Sequence, residues 1–259
     1  MRKTIINLYA KTFSKPPLSK LNNRLLNATL RARGYNNYRN DVESGEEFFL
    51  SKVLAPSNPK ICIDVGANVG NYTRKLLQYT QATVVSFEPL PSAFEQLREQ
   101  TKKFGERSII ENRGVGERND KLVIHYNPNA IFHASFSEDA KKVPYLHNEN
   151  EMEVEVVSID SYLENKNFDT VDFIKIDTEG FELEVFRGAK DTIRRYKPQY
   201  LQMEFNWHQM FRNTSLNYFS ELLPDYDVYQ LLPNGWIKRN PKDPLANIYH
   251  FSNFVFVLK

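Results

Sequence analysis

The sequence has one cysteine, no long apolar run and no acidic residue in its first 40 positions. Each shortage excludes something. A lone Cys62 leaves no partner for an internal disulfide. It sits inside a short apolar run, where a thiol acts as a small buried hydrophobe rather than as a nucleophile. Its solitude is compatible with a reducing compartment. No stretch approaches the roughly 18 apolar residues of a membrane-crossing helix. The N-terminus also lacks the continuous apolar core of a secretory signal. A cytoplasmic location is the expectation. Internal repeats and low-complexity linkers are absent too.

What is present is a large supply of core-forming residues. Of the 259 residues, 41% are hydrophobic, with 18 Phe and 14 Tyr, so one sizeable domain can be filled. The net charge of +2 conceals an asymmetry. Residues 1–40 hold nine basic residues: Arg2, Lys3, Lys11, Lys15, Lys20, Arg24, Arg31, Arg33 and Arg39. The other 25 basic residues face all 32 acids, a net of −7 for the remainder.

Residues 3–13 and 19–33 are predicted as helices separated by Pro16 and Pro17. Ile5, Ile6, Tyr9 and Phe13 share one face, as do Leu18, Leu21, Leu25 and Leu26. Three roles are open for this basic leader. It can be a helical cap packed on the domain, a peripheral contact with the inner face of an anionic membrane through residues 1–40, or a docking element for an acidic substrate carrier. Nucleic acid is not expected, because no recognisable nucleic-acid module accompanies the charge. A further helix is predicted over Asp41–Leu54. The expected organisation is a basic helical extension over residues 1–55 and one α/β domain over 56–259.

From Lys60 onward strands and helices alternate, which predicts a parallel sheet with right-handed crossovers. Strands are expected over 60–65, 83–87, 108–112, 171–176 and 200–203. Helices are expected after each turn, the fourth starting at Thr178. Leu122–Tyr126 and Glu153–Val157 predict two extra strands around a polar loop, residues 127–150, long enough to be functional. Val228–Leu232 and Asn253–Leu258 predict an antiparallel pair at the sheet edge.

The stretch PKICIDVGANVGNYT, residues 59–73, is the best-defined site in the chain. A buried strand ends in Asp64, and Gly66 and Gly70 frame a turn. A helix then begins with free N–H groups pointing at whatever fills that turn. Asp64, Glu88, Asp177 and Glu204 each fall at the carboxyl end of a predicted parallel strand, the edge where open α/β sheets bind ligands. Glu88 suits the two ribose hydroxyls of a nucleoside cofactor. NAD and S-adenosylmethionine (SAM) both qualify. The turn Gly66-Ala67-Asn68-Val69-Gly70 is not the dinucleotide pattern. An acid before it suits a ligand carrying sulfonium and ammonium groups better than a pyrophosphate.

The stretches IDVGANVGNYT (63–73), SFEP (86–89), VVSIDSYL (156–163) and FIKIDTEGFELEVFRGA (173–189) resemble the FkbM family of SAM-dependent methyltransferases. The resemblance covers about residues 60–205. It implies a Rossmann-like, seven-stranded, mostly parallel sheet with an antiparallel terminal strand, and methyl transfer to a hydroxyl, often on a sugar or a secondary metabolite. It also implies that Asp64, Gly66, Ala67, Asn68 and Gly70 hold the methionine portion of the cofactor and Glu88 its ribose. The stretch from about Asn112 to Val115 would meet adenine, and Asp177 the methyl end.

Alcohol methylation needs a base for the hydroxyl proton. Asp177, Glu179, Glu204 and His208 are the candidates, with His133 and Ser135 in the long loop as substrate contacts. Asp177, Glu179 and Glu204 have oxygen-ligand chemistry, but no metal is required to explain them. An amine methyltransferase is disfavoured, since Asp177-Thr178-Glu179-Gly180 stands where an Asn/Asp-Pro-Pro-aromatic signature would be. An NAD-dependent oxidoreductase and a non-catalytic SAM-binding scaffold at a membrane are the competing classes.

Overall fold

The computed structural model describes residues 2–138, 147–164 and 166–259, and for residues 2 and 3 the backbone only. The expected polar loop at 127–150 therefore lies partly outside the described residues.

Helices α1 (Arg2–Phe13) and α2 (Ser19–Ala32) form a hairpin around Pro16 and Pro17. Nearly all its side chains are exposed, and the body takes hold only at Leu30. A packed cap is not what forms. Asp41–Leu54 is not one helix either. Gly45, at φ 84°, separates α3 (Asp41–Ser44) from α4 (Glu46–Phe49), and a π-helical turn continues to Leu54. Phe49, Leu50 and Leu54 are fully buried against Cys62, Phe173 and Val255, so the expected division at residue 55 falls inside this packing.

The α/β body then follows. Strand β1 (Ile61–Val65) leads into α5 (Asn71–Tyr79), β2 (Thr83–Phe87) into α6 (Pro91–Thr101), and β3 (Ser108–Glu111) completes one wing. Strands β4 (Gly114–Val115), β5 (Asp120–Tyr126) and β6 (Asn150–Val157) make a separate small sheet. After α7 (Ile159–Glu164) come β7 (Phe173–Ile176), α8 (Glu182–Gly188), α9 (Lys190–Tyr196) and β8 (Tyr200–Phe205). The last elements are α10 (Trp207–Phe211), α11 (Leu216–Leu222), β9 (Tyr226–Leu232), β10 (Gly235–Lys238) and β11 (Ser252–Leu258).

The main sheet has the order β10-β9-β11-β8-β7-β1-β2-β3. Seven strands form its body. Strand β11 runs antiparallel to both neighbours, and β10 adds a hairpin outside β9. The two C-terminal runs do pair antiparallel, but β11 is interior to the sheet, wedged between β8 and β9. Its burial explains the near-continuous apolar sequence, which an edge strand would not need. Helix α8 starts at Glu182 rather than Thr178, because Glu179 (φ 52°) and Gly180 (φ 102°) are both left-handed.

Successive residues of each strand alternate between two cores. Ile63, Val65, Ile174 and Ile176 face one; Cys62, Val84 and Phe173 face the other, under α4 and α5. Two residues further on, that second face turns polar. Ser86, Asp64, Lys175 and Gln202 are neighbours in register across β2, β1, β7 and β8. All four are buried. This polar row lies toward the carboxyl ends of the strands, and its Lys175 lines the cavity that opens there.

Phe49 touches Phe173, Tyr200 and Trp236 with ring centroids 5.6, 5.6 and 6.3 Å away. Phe49→Ala is expected to cost about 3–5 kcal/mol, read from urea unfolding. A loss below about 1 kcal/mol would mean that residues 46–54 do not belong to the core.

Candidate active site

A cavity of about 520 Å³ opens over the carboxyl ends of β1, β2, β7 and β8. One wall is the turn after β1. The amides of Gly66 and Ala67 both donate to the Phe87 carbonyl, at 3.1 and 2.9 Å, folding the turn across the end of β2. Gly66 takes φ 78°, and a β-carbon there would lie 1.8 Å from the Asp177 carbonyl oxygen. Only glycine fits such a close passage of two loops. Gly70 precedes α5 as its N-cap.

Glu88 lines the cavity beside this turn. Its two carboxylate oxygens accept from the amides of Asn68 and Leu90, each at 2.8 Å. Burial nevertheless pushes its pKa up to about 7. Each carboxylate oxygen keeps a second lone pair for a ligand hydroxyl.

Asn112 has a different task from the one expected. Its amide donates to the carbonyls of Glu88 and Pro89, at 2.9 and 3.0 Å, and so fixes the backbone after β2. Gly114 and Val115, in the same expected stretch, line the cavity.

Asp64 is fully buried below the turn. Its Oδ2 accepts from the Thr73 hydroxyl at 2.6 Å, whereas Oδ1 has no partner. Burial raises its pKa, against the pull of Lys175. Lys175 is also buried but stays charged: burial opposes the ammonium, and Asp177, Asp64 and Glu46 outweigh it. Its Nζ donates to Asp177 Oδ2 at 2.7 Å and lies 4.8 Å from the Tyr72 ring centroid.

The ends of β7 and β8 bring Asp177, Glu179 and Glu204 to the cavity, and they can present oxygens within 4.8 Å of one another. Burial, then repulsion from Asp177 and Glu179, drives the Glu204 pKa well above the carboxylate range. Such a set has the chemistry to take a divalent cation, although Lys175 already supplies a positive charge to Asp177.

Glu179 is held from every side. His208 Nε2 lies 2.8 Å from its Oε2, and the Ser135 hydroxyl donates to its carbonyl at 2.6 Å. Below it, Glu182 Oε1 accepts from the amides of Thr178 and Gly180, and Glu182 Oε2 accepts from Gln209. Asn206 caps α10 and so sets the position of His208. These bonds hold a left-handed glutamate, a conformation that a non-glycine residue adopts only at a cost of about 1–3 kcal/mol.

Ser135 and His208 are buried behind Glu179 and do not line the cavity. The expected substrate contact at Ser135 is replaced by a backbone contact. His133 Nδ1 stands 3.9 Å from Glu179 Oε1, and its neighbour Phe132 lines the cavity. Sequence reasoning missed Tyr38, Asp41, Glu46, Phe132 and Phe251 in the wall. Tyr72 follows the glycine turn directly, so its position was available as a signal. Tyr38 and Glu46 arrive from outside the α/β repeat and carry none.

The strand order and the glycine turn facing an acidic sheet edge define a Rossmann-like methyltransferase fold. Residues 64–228 match the Methyltransferase FkbM domain, and the chain belongs to that family. It is 25% identical over 164 residues to Methyltransferase 1 of Beauveria bassiana, spanning 56% of this chain and 66% of that protein. It is 23% identical over 205 residues to 2-O-methyltransferase NoeI of Sinorhizobium fredii, spanning 72% and 79%. It is 27% identical over 131 residues to the hexuronic acid methyltransferase AglP of Haloferax volcanii, spanning 51% and 50%. The chain thus spans between half and four fifths of these relatives' lengths.

Glu46 and Glu88 both sit near 7 through burial, against an ordinary value of 4.5. The folded state therefore binds more protons than the unfolded chain between those values, and stability falls as pH rises. Melting temperature without ligand is expected to drop between pH 5.5 and 8, at ~2–4 °C per kcal/mol lost. Glu46→Gln/Glu88→Gln should flatten that slope; an unchanged slope would reject the assignment.

Proposed function

We propose that the protein is a SAM-dependent O-methyltransferase acting on a hydroxyl of a saccharide. The observation that carries this reading is a single cavity with a glycine turn and Glu88 at one wall and a braced Glu179 at the other. The family membership and the names of two relatives, one a 2-O-methyltransferase and one a hexuronic acid methyltransferase, support the acceptor class.

The residues suit the cofactor. Glu88 has lone pairs for both ribose hydroxyls, whereas Asp64, expected at the methionine portion, lies beneath the cavity wall without lining it and adds negative charge under the turn. Gly66, Ala67, Asn68 and Gly70 bring backbone rather than side chains to the ligand. Val115 and Gly114 offer an apolar slot for a base. When bound, SAM supplies a methyl group activated by a sulfonium.

The acceptor side is assigned to Glu179. Its carboxylate would take the proton of the attacking hydroxyl as the oxygen–carbon bond formed and the methyl–sulfur bond broke, leaving the sulfonium sulfur as a neutral thioether and the proton on Glu179. His208 holds Glu179 Oε2 and fixes the direction of its free oxygen. Asp177, held by the Lys175 ammonium, is assigned to the methyl end. Burial and the neighbouring acids Asp177 and Glu179 push the Glu204 pKa upward, which favours its neutral form beside them. Tyr38, Phe132 and Phe251 form an aromatic rim that can lie against the apolar face of a sugar and exclude water.

Two variants separate binding from chemistry. Glu88→Ala should weaken SAM affinity by about 10-fold or more by calorimetry, since a buried acceptor of two hydroxyls is lost. Glu179→Gln should leave SAM affinity within about threefold yet lower kcat by about 10²–10⁴-fold. Methylated-sugar analysis of glycans from a deletion strain and its parent supplies the acceptor. Tight SAM binding with no acceptor methylated by any glycan fraction would favour the scaffold class, and NAD binding without SAM binding would sink the proposal.

A further inference from the structure

We propose that the α1–α2 hairpin is a docking surface for an anionic lipid bilayer. Two independent features of the hairpin point there. Its apolar side chains are uncovered: Ile5, Ile6, Leu8 and Leu26 are each more than half exposed, and Tyr9, Leu21 and Leu25 are exposed as well. Large exposed apolar patches mark interaction sites. Its charge is of one sign, since every ionisable side chain in residues 1–40 apart from Tyr is basic.

The hairpin is built rather than loose. The Tyr9 hydroxyl donates to Asn22 Oδ1 at 2.8 Å, and Asn22 donates to the Phe13 carbonyl at 3.0 Å, clasping the two helices. Tyr9 and Phe13 stack at 4.7 Å. Yet this clasp leaves the apolar residues facing water instead of the body. On α2, Leu21, Leu25 and Leu26 share a face that continues the preceding Leu18, while Lys20, Arg24 and Arg31 fall on the other side. Among the described residues, Lys11, Lys15, Lys20 and Arg24 form no ion pair, whereas Arg31 pairs with Glu43 at 2.7 Å near the hairpin root.

An apolar face bordered by unpaired cations is the pattern of a helix lying in the headgroup region, with its apolar side chains reaching the acyl boundary. No helix among the described residues is long and apolar enough to cross a membrane, so the contact is along the surface. A second copy is the weaker occupant. Two hairpins meeting face to face would bring two exclusively cationic surfaces together, whereas anionic lipid neutralises them.

The root of the hairpin also reaches the active-site cavity. Leu30 and the buried Tyr35 anchor it, the Tyr35 hydroxyl donating to the Leu245 carbonyl at 2.9 Å. Three residues later Tyr38 lines the cavity rim beside Phe251. Docking of the hairpin would hold that rim close to the bilayer.

The test is vesicle co-sedimentation of the full chain, with phosphatidylcholine alone and with phosphatidylcholine mixed with phosphatidylglycerol. Partition should be at least about tenfold higher on the anionic vesicles, and high salt should weaken it. Leu25→Ser/Leu26→Ser and Lys20→Glu/Arg24→Glu should each reduce it by about tenfold or more. These side chains are exposed, so unchanged melting temperatures would confirm folded variants. Equal partition to both vesicle types overturns the proposal. So does a dimer in sedimentation velocity that Leu25→Ser/Leu26→Ser dissociates while vesicle binding stays unchanged.

Discussion

One buried ammonium organises this site. Lys175 stands in the middle strand of the sheet, where an uncompensated charge would be costly, and it is kept charged by acids from three separate parts of the chain. Asp177 comes from its own strand end, Asp64 from the neighbouring strand, and Glu46 from the segment before the sheet. Removing one member of such a group leaves the others unbalanced, at a cost of about 3–5 kcal/mol. The balance explains why the sheet can change from apolar to polar within two residues. It also explains why the glycine turn and the acidic wall stay in register: both are fastened to strands that share this one charge.

The acidic wall is shaped by a second constraint. Three carboxylates close together repel, and the structure answers in a different way at each one. Asp177 is neutralised by Lys175, Glu204 is driven toward its protonated form, and Glu179 is set against His208. Differentiated neighbours of this kind allow one group to accept a proton while another keeps its own. The left-handed backbone at Glu179 and Gly180 is the structural cost, met by Glu182, Gln209 and Ser135 beneath it.

The parts of this design that are local were legible in the sequence. An apolar run ending in Asp64, followed by Gly66 and Gly70, predicts a strand and turn because few other conformations accept that pattern. The acids at the ends of β2, β7 and β8 were legible for the same reason. What escaped depends on contacts distant in sequence. Glu46 reaches the site only because Phe49 and Leu54 fix its helix on the sheet, and nothing near Glu46 announces that. Ser135 and His208 read as ligand contacts because polar residues near a cleft do so by default. The bonds that turn them onto Glu179 arise from elements tens of residues away. Strand β11 escaped in position but not in type: its apolar run announced a strand, while its place between β8 and β9 is a matter of topology.

That placement has a consequence for synthesis. Among the described residues, β11 alone joins β8 to β9 in the sheet, and it is made after both. Until residues 252–258 leave the ribosome, β8 presents an open edge and β9–β10 is a separate hairpin. The wall bearing Glu204 opposite Asn253 therefore stays unfinished until then. A nascent chain that has made β8 but not yet β11 carries an unpaired, apolar sheet edge across the intervening residues, and is exposed to aggregation during that interval.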